Sequence, residues 1–148
     1  MREDRAVSTT LSYVLTLAIS AILVSGLLVA GGSYIDERRN AVVEDELTVI
    51  GQQLAAGLER ADRLVVASDG SSPTLRIDQS FPNRVTGSGY RVSLDAGDSN
   101  VVLESTSSDV EVAVGFVTRT GVDGSSSADG GEFRIRYDSA DGLVIEDV

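Results

Sequence analysis

Residues 6–35, AVSTTLSYVLTLAISAILVSGLLVAGGSYI, hold no charged side chain. A helix of about 20 such residues crosses the hydrocarbon core of a bilayer, and this run of about 30 exceeds that length. A cleavable secretory signal would carry an apolar region of roughly 7–15 residues, then a small-residue cleavage site and a polar mature start. The run is too long for that reading, and a helical pattern continues beyond it. Two readings remain at this point. The segment is either a plain transmembrane anchor or a retained helix from which only a short leader is removed.

Past the charges at Asp36–Arg39, the residues Val43, Leu47, Ile50, Leu54, Leu58, Ala61 and Val65 recur at i, i+3 and i+4. Glu44, Glu46, Gln52, Gln53, Glu59, Arg60 and Arg63 occupy the opposite face. This spacing predicts an amphipathic helix of about 25–28 residues whose apolar face needs a partner. Asp69-Gly70-Ser71-Ser72-Pro73 carries the turn chemistry that ends it.

After Pro73 the period changes to two. Short strands are predicted at Thr74–Gln79, Tyr90–Leu94, Asn100–Ser105, Val110–Arg119, Glu132–Tyr137 and Leu143–Glu146. Val110, Val112, Val114 and Phe116 share one face, and Arg76, Arg91, Arg134 and Arg136 interleave the apolar residues of other strands. Short Gly/Ser/Asp turns between strands favour antiparallel hairpins with one face on the helix. The long Gly/Ser/Asp-rich gap from Gly121 to Gly131 reads as a mobile surface loop. The expected class is α+β: a long N-terminal helix, transmembrane then amphipathic, packed on a C-terminal antiparallel β domain. The divisions are 1–6, a leader; 7–35, the apolar helix; 36–68, the amphipathic helix; and 74–148, the β domain.

The formal net charge is −11, and all 12 basic residues are Arg. Residues 1–35 hold two Arg and two acids, so the whole surplus lies downstream. Such a surface repels polyanions, so nucleic acid is not an expected partner. It also suits high salt, where repulsion is screened. With neither Cys nor His, disulfides, the usual zinc sites and His-activated nucleophiles cannot be built. Asp95–Asp98 and Asp123–Asp129 offer oxygen ligands of the kind Ca²⁺ accepts, but neither follows an EF-hand pattern, and solvated turns explain both. No phosphate-binding or dinucleotide fingerprint occurs. No catalytic residue, metal or cofactor is therefore assigned, and an enzyme is not expected.

The start of the chain adds a detail. Arg5-Ala6-Val7-Ser8 stands directly before the apolar run. This resembles the class III signal peptides of archaeal type IV pilins and archaellins, in which a short charged leader ends in a basic residue plus Gly or Ala. The resemblance implies cleavage between Ala6 and Val7 by a membrane-embedded prepilin peptidase on the cytoplasmic side, with Arg5 and Ser8 flanking the cut. The apolar helix would stay on the mature protein. Together with the overall layout, the resemblance covers essentially the whole chain and implies a pilin architecture like those of haloarchaeal, salt-adapted subunits. Thr9-Thr10-Leu11 replaces the Pro-containing stretch common in major haloarchaeal pilins, and Leu11 stands where bacterial pilins carry Glu. Both departures point to a minor, pilin-like subunit.

Lys and Arg number two on each flank of the run, so charge leaves its orientation undecided. The leader resemblance implies a cytoplasmic N-terminus and an extracellular β domain on a single-pass membrane protein at the cell surface. Ser12, Thr16 and Ser20 recur every fourth residue on one helical face. Such a stripe suits close packing against other pilin helices; equally, Ser and Thr satisfy themselves within a helix. Gly26, Gly31 and Gly32 predict a kink or local melting near the outer end. The function implied is a structural subunit of a pilus or pseudopilus, assembled through its N-terminal helix. The alternative is a membrane-anchored extracellular binding or sensing module.

Overall fold

The computed structural model describes residues 2–68 and 74–148, with residues 2–10 given as backbone alone; the turn at Asp69–Pro73 lies outside the described residues. Among the described residues a single helix, α1, spans Arg2–Ala67. Both prolines of the chain, Pro73 and Pro82, lie beyond it, so no ring interrupts its hydrogen-bond ladder. Gly26, Gly31 and Gly32 lie within the helix, so the chain does not melt locally there. Each glycine costs about 1 kcal/mol of propensity, and the backbone bonds together with Leu27, Leu28 and Val29 between the glycines outweigh that. Contacts divide the chain into two units, Met1–Arg39 and Asn40–Val148.

The second unit is built on the amphipathic part of α1. Val43, Leu47, Ile50, Leu54, Leu58 and Ala61 are buried, and Val65 is half-buried, as the spacing predicted. The buried stripe is wider than the spacing alone suggests, because Ala55, Gly51, Gly57 and Asp62 are buried too. Gly51 is required by close approach: a Cβ there would lie 2.7 Å from Val114 Cγ2 and 2.8 Å from Leu103 Cδ1. Removing the fully buried Leu54 side chain would cost about 2–5 kcal/mol.

Among the described residues, seven strands follow: β1 Arg76–Ser80, β2 Tyr90–Asp95, β3 Asn100–Ser105, β4 Glu111–Gly115, β5 Ser127–Asp129, β6 Glu132–Asp138 and β7 Gly142–Asp147. The pairings between these strands are antiparallel, in a three-stranded sheet of order β1-β6-β7 and a four-stranded sheet of order β4-β3-β2-β5. The α+β class is as expected. The inward residues are those the period of two selects, among them Val92, Leu94, Leu103, Phe133 and Ile135. Tyr90 is buried as well, and its hydroxyl donates to Pro82 O at 2.9 Å, so its polar end is satisfied.

Two expectations are corrected. The predicted strand 110–119 stops at Gly115, because the chain turns away to meet carboxylates on α1. The segment from Gly121 to Gly131 is not simply a surface loop: it holds β5, with Ala128 and Ser126 buried, and Val122 bridges Leu143. Its small side chains give no apolar alternation for the eye to catch.

Candidate membrane-facing and assembly surface

Within the first unit, every described side chain from Leu11 onwards is exposed. Leu27, Leu28 and Val29 are more than 70% exposed, values that a soluble surface does not sustain over consecutive large apolar residues. Among the described residues, α1 is the one helix long and apolar enough to cross a membrane.

The run carries two tyrosines, one within its first third and one beside its far end. Tyr13 and Tyr34, both exposed, stand 34 − 13 = 21 residues apart on α1. At 1.5 Å per residue this is about 31 Å of helix, close to the ~30 Å hydrocarbon thickness. Tyrosines at that spacing suit the two water–lipid interfaces. Tyr34 is also tied to the charged segment behind it: Arg38 Nε donates to its hydroxyl at 3.1 Å, and the guanidinium lies 5.7 Å from the ring centroid. The sequence held this signal in the spacing of two of its four tyrosines.

The stripe residues lie one turn apart on α1. Thr16 Oγ1 donates to Ser12 O at 2.9 Å and Ser20 Oγ donates to Thr16 O at 2.8 Å. Ser33 does the same with Val29 O at 3.3 Å. These hydroxyl protons are thus satisfied within their own helix, which removes the cost of placing them in lipid. Arg5, Ala6, Val7 and Ser8 fall within α1 as backbone; their side chains lie outside the described residues.

The second unit offers a different surface. Its outer faces carry ion pairs: across strands, Arg134 with Asp78 at 2.7 Å and Arg91 with Asp129 at 2.9 Å, and along β6, Arg136 with Asp138 at 2.7 Å. Each contributes little in water, yet together they account for three of the four interleaved arginines, Arg91, Arg134 and Arg136. Partner arginines hold Asp78 and Asp138 below the usual carboxylate range, with backbone N–H bonds leading at Asp138. Asp95 Oδ1 accepts the N–H groups of Gly97 and Asp98, and Asp123 Oδ1 accepts from Ser125. These acids organise turns. Among the described residues, no three Asp or Glu side chains gather into a metal-binding group. An open groove of about 640 Å³ runs between α1 and the β1–β2 connection, with Val49, Phe81 and Val85 beside Asp45, Glu46 and Arg84.

A family model described as a family of unknown function, DUF7266, matches residues 2–146, taking in the apolar run and the β domain together. No curated protein and no solved structure matches the chain.

Proposed function

The chain belongs to the DUF7266 family of unknown function, and from that premise we propose that it is a pilin-like structural subunit. In this reading a prepilin peptidase cuts between Ala6 and Val7, leaving the apolar helix on the mature protein. The helix anchors the chain in the cell membrane as a single span, with the acidic β domain outside. It then exchanges lipid for like helices in a surface filament or pseudopilus. That exchange is feasible because lipid tails and apolar side chains are similar solvents, so association rests on packing and small residues.

The supporting observation is the run from Leu11 to Ile35, exposed throughout and part of the same helix whose residues Val43–Ala61 supply the buried core face. A cleavable signal would not be expected to share its helix with the core of the folded domain. The test is the N-terminus of the protein isolated from membranes of a host with prepilin peptidase and of a peptidase deletion. Mature Val7 in the first host only supports the reading. Intact Met1 in both sinks it.

A second reading, a permanently anchored extracellular binding module, draws on a specific observation. The hydroxyls of Thr16 and Ser20 already have partners within α1 and require no neighbouring helix.

A further inference from the structure

The second unit has four sheet edges, at β1, β7, β4 and β5. Three of them resist a further strand. β1 carries Arg76 and Asp78 along its length. β7 is already met from outside by the 121–123 segment, through Leu143 N–H to Gly121 O at 2.8 Å and Asp123 N–H to Leu143 O at 2.9 Å. β5 is only three residues long, and its Asp129 N–H is taken by Asp147 Oδ1. Proteins blunt exposed edges by such means.

β4 lacks them. From Val110 to Val117 the sequence is VEVAVGFV, rich in β-branched residues, free of proline and carrying one charge, at Glu111. Its bonding pattern follows from the two ends of the strand. Ser105 N–H donates to Val110 O and Phe116 N–H donates to Ser99 O. Bonds to one neighbour alternate in an antiparallel ladder, so Val112 and Val114 also face β3. Glu111, Ala113 and Gly115 then direct their N–H and C=O groups away from the sheet, and all three residues are exposed. The next N–H in that outward series, Val117, is capped by Glu59 Oε1 at 3.2 Å. The open stretch is therefore 111–115.

We infer that β4 is an assembly edge that pairs antiparallel with β4 of a second copy of this chain, centred on Ala113. This register engages every outward residue of the open stretch. It sets Ala113 opposite Ala113, Glu111 opposite the side-chain-free Gly115, and Val112 opposite Val114. The lone acid thus avoids its own copy, where like charges directly opposed would destabilise the pair. The half-buried Val112 and Val114 cover one another on the core-side face. Shifting the centre by one residue either leaves Gly115 opposite the charged Asp109 or needs the Val117 N–H that Glu59 already holds. A contact that is self-complementary in charge, size and bonding is what a two-fold interface requires.

The chain has no cysteine, so introduced thiols report cleanly. The full-length protein, in membranes or detergent and in enough salt to screen the −11 charge, would carry single substitutions and be treated with a mild oxidant or a short bis-maleimide. Ala113→Cys is expected to give a dimer, because bonded antiparallel partners lie about 5.5 Å apart at Cα. Glu104→Cys, one strand in from the edge, should stay monomeric. Differently tagged Glu111→Cys and Gly115→Cys chains should link to each other and neither to itself, a register readout that holds even if one variant is less stable. Folded Ala113→Cys protein that remains monomeric, Glu104→Cys dimers in equal yield, or Ala113→Cys linked to some other protein would each overturn the inference.

Discussion

Asp62 and Thr120, 58 residues apart in sequence, are joined by a 2.7 Å hydrogen bond from the Thr120 N–H to the Asp62 carboxylate. The same oxygen accepts the Arg119 N–H at 3.1 Å, and one turn earlier Glu59 accepts from Val117. Two carboxylates at i and i+3 on α1 thereby hold the segment that leaves β4. Burial disfavours the charge on Asp62, but the bonds from the side chain and backbone of Thr120, the Arg119 N–H and the Arg119 charge outweigh it, leaving its pKa below the usual carboxylate value. A depressed folded-state pKa gives stability that is complete above the unfolded value of about 3.9 and lost as pH falls through the folded one. Asp62→Asn should keep an acceptor for both N–H groups and flatten the acid limb of the stability profile. Asp62→Ala should cost about 2–4 kcal/mol at neutral pH, since it leaves two backbone donors unpaired. Urea unfolding in detergent from pH 3 to 7 measures both; an unchanged acid limb in Asp62→Asn would show that other carboxylates govern it.

The placement of Tyr13 and Tyr34 fixes where the centre of the span should lie. Leu23 sits close to midway between them, and Ile35 sits just past the second. An arginine at the centre of an inserted helix costs about 2.5–3.5 kcal/mol, and near an interface it snorkels at much smaller cost. Leu23→Arg should therefore release a substantial fraction of the protein on alkaline extraction of membranes, while Ile35→Arg should remain in the pellet. Equal behaviour of the two variants would place the span elsewhere or deny it.

Two glycines on the buried face of α1 separate packing from propensity. Replacing a helical glycine by alanine favours the helix by about 1 kcal/mol when nothing interferes. At Gly51 the new Cβ meets Val114 and Leu103, branched side chains anchored in the sheet, so Gly51→Ala should destabilise by about 1–3 kcal/mol. At Gly57 the nearest atoms it meets belong to the terminal amide of Gln79, whose Oε1 is buried without a partner and gains by swinging out to water. Gly57→Ala should be neutral or stabilising. Thermal melts of the two variants decide it, and the reverse order would mean that the sheet yields more readily than the amide.

These contacts also show where the sequence stopped being readable. The helical period picked out Val43 to Ala61 because burial of a stripe leaves its mark at every third or fourth residue. The period of two picked out β2, β3, β6 and the face of β4 for the same reason. Nothing local specified that β1 pairs with β6, some 56 residues on, leaving β2 to a different sheet. Nothing marked Asp62 as a buried carboxylate among the 23 acids, since its partners are backbone groups of a distant loop. β5 escaped because Ser127, Ala128 and Asp129 are too small and polar to alternate. On the candidate surface, the stripe of Ser12, Thr16 and Ser20 was visible as spacing, but the bonds that satisfy the Thr16 and Ser20 hydroxyls needed coordinates.

Those bonds make the stripe itself a discriminating test. Thr16 and Ser20 donate to carbonyls one turn back, so their hydroxyls add neither a penalty in lipid nor a demand for a partner. What remains to the stripe is smallness, which matters only if another helix lies against it. Ser20→Leu should leave the membrane fraction unchanged, because a leucine is at least as comfortable in hydrocarbon. If copies of α1 pack along this face, Ser12→Cys should cross-link between copies, and adding Ser20→Leu should reduce that yield severalfold by holding the backbones apart. Ile22→Leu, which conserves volume off the stripe, should not change it. Failure of Ser12→Cys to link at all, in membranes where the Ala6–Val7 cut is complete, would remove the stripe from assembly and favour a permanent anchor.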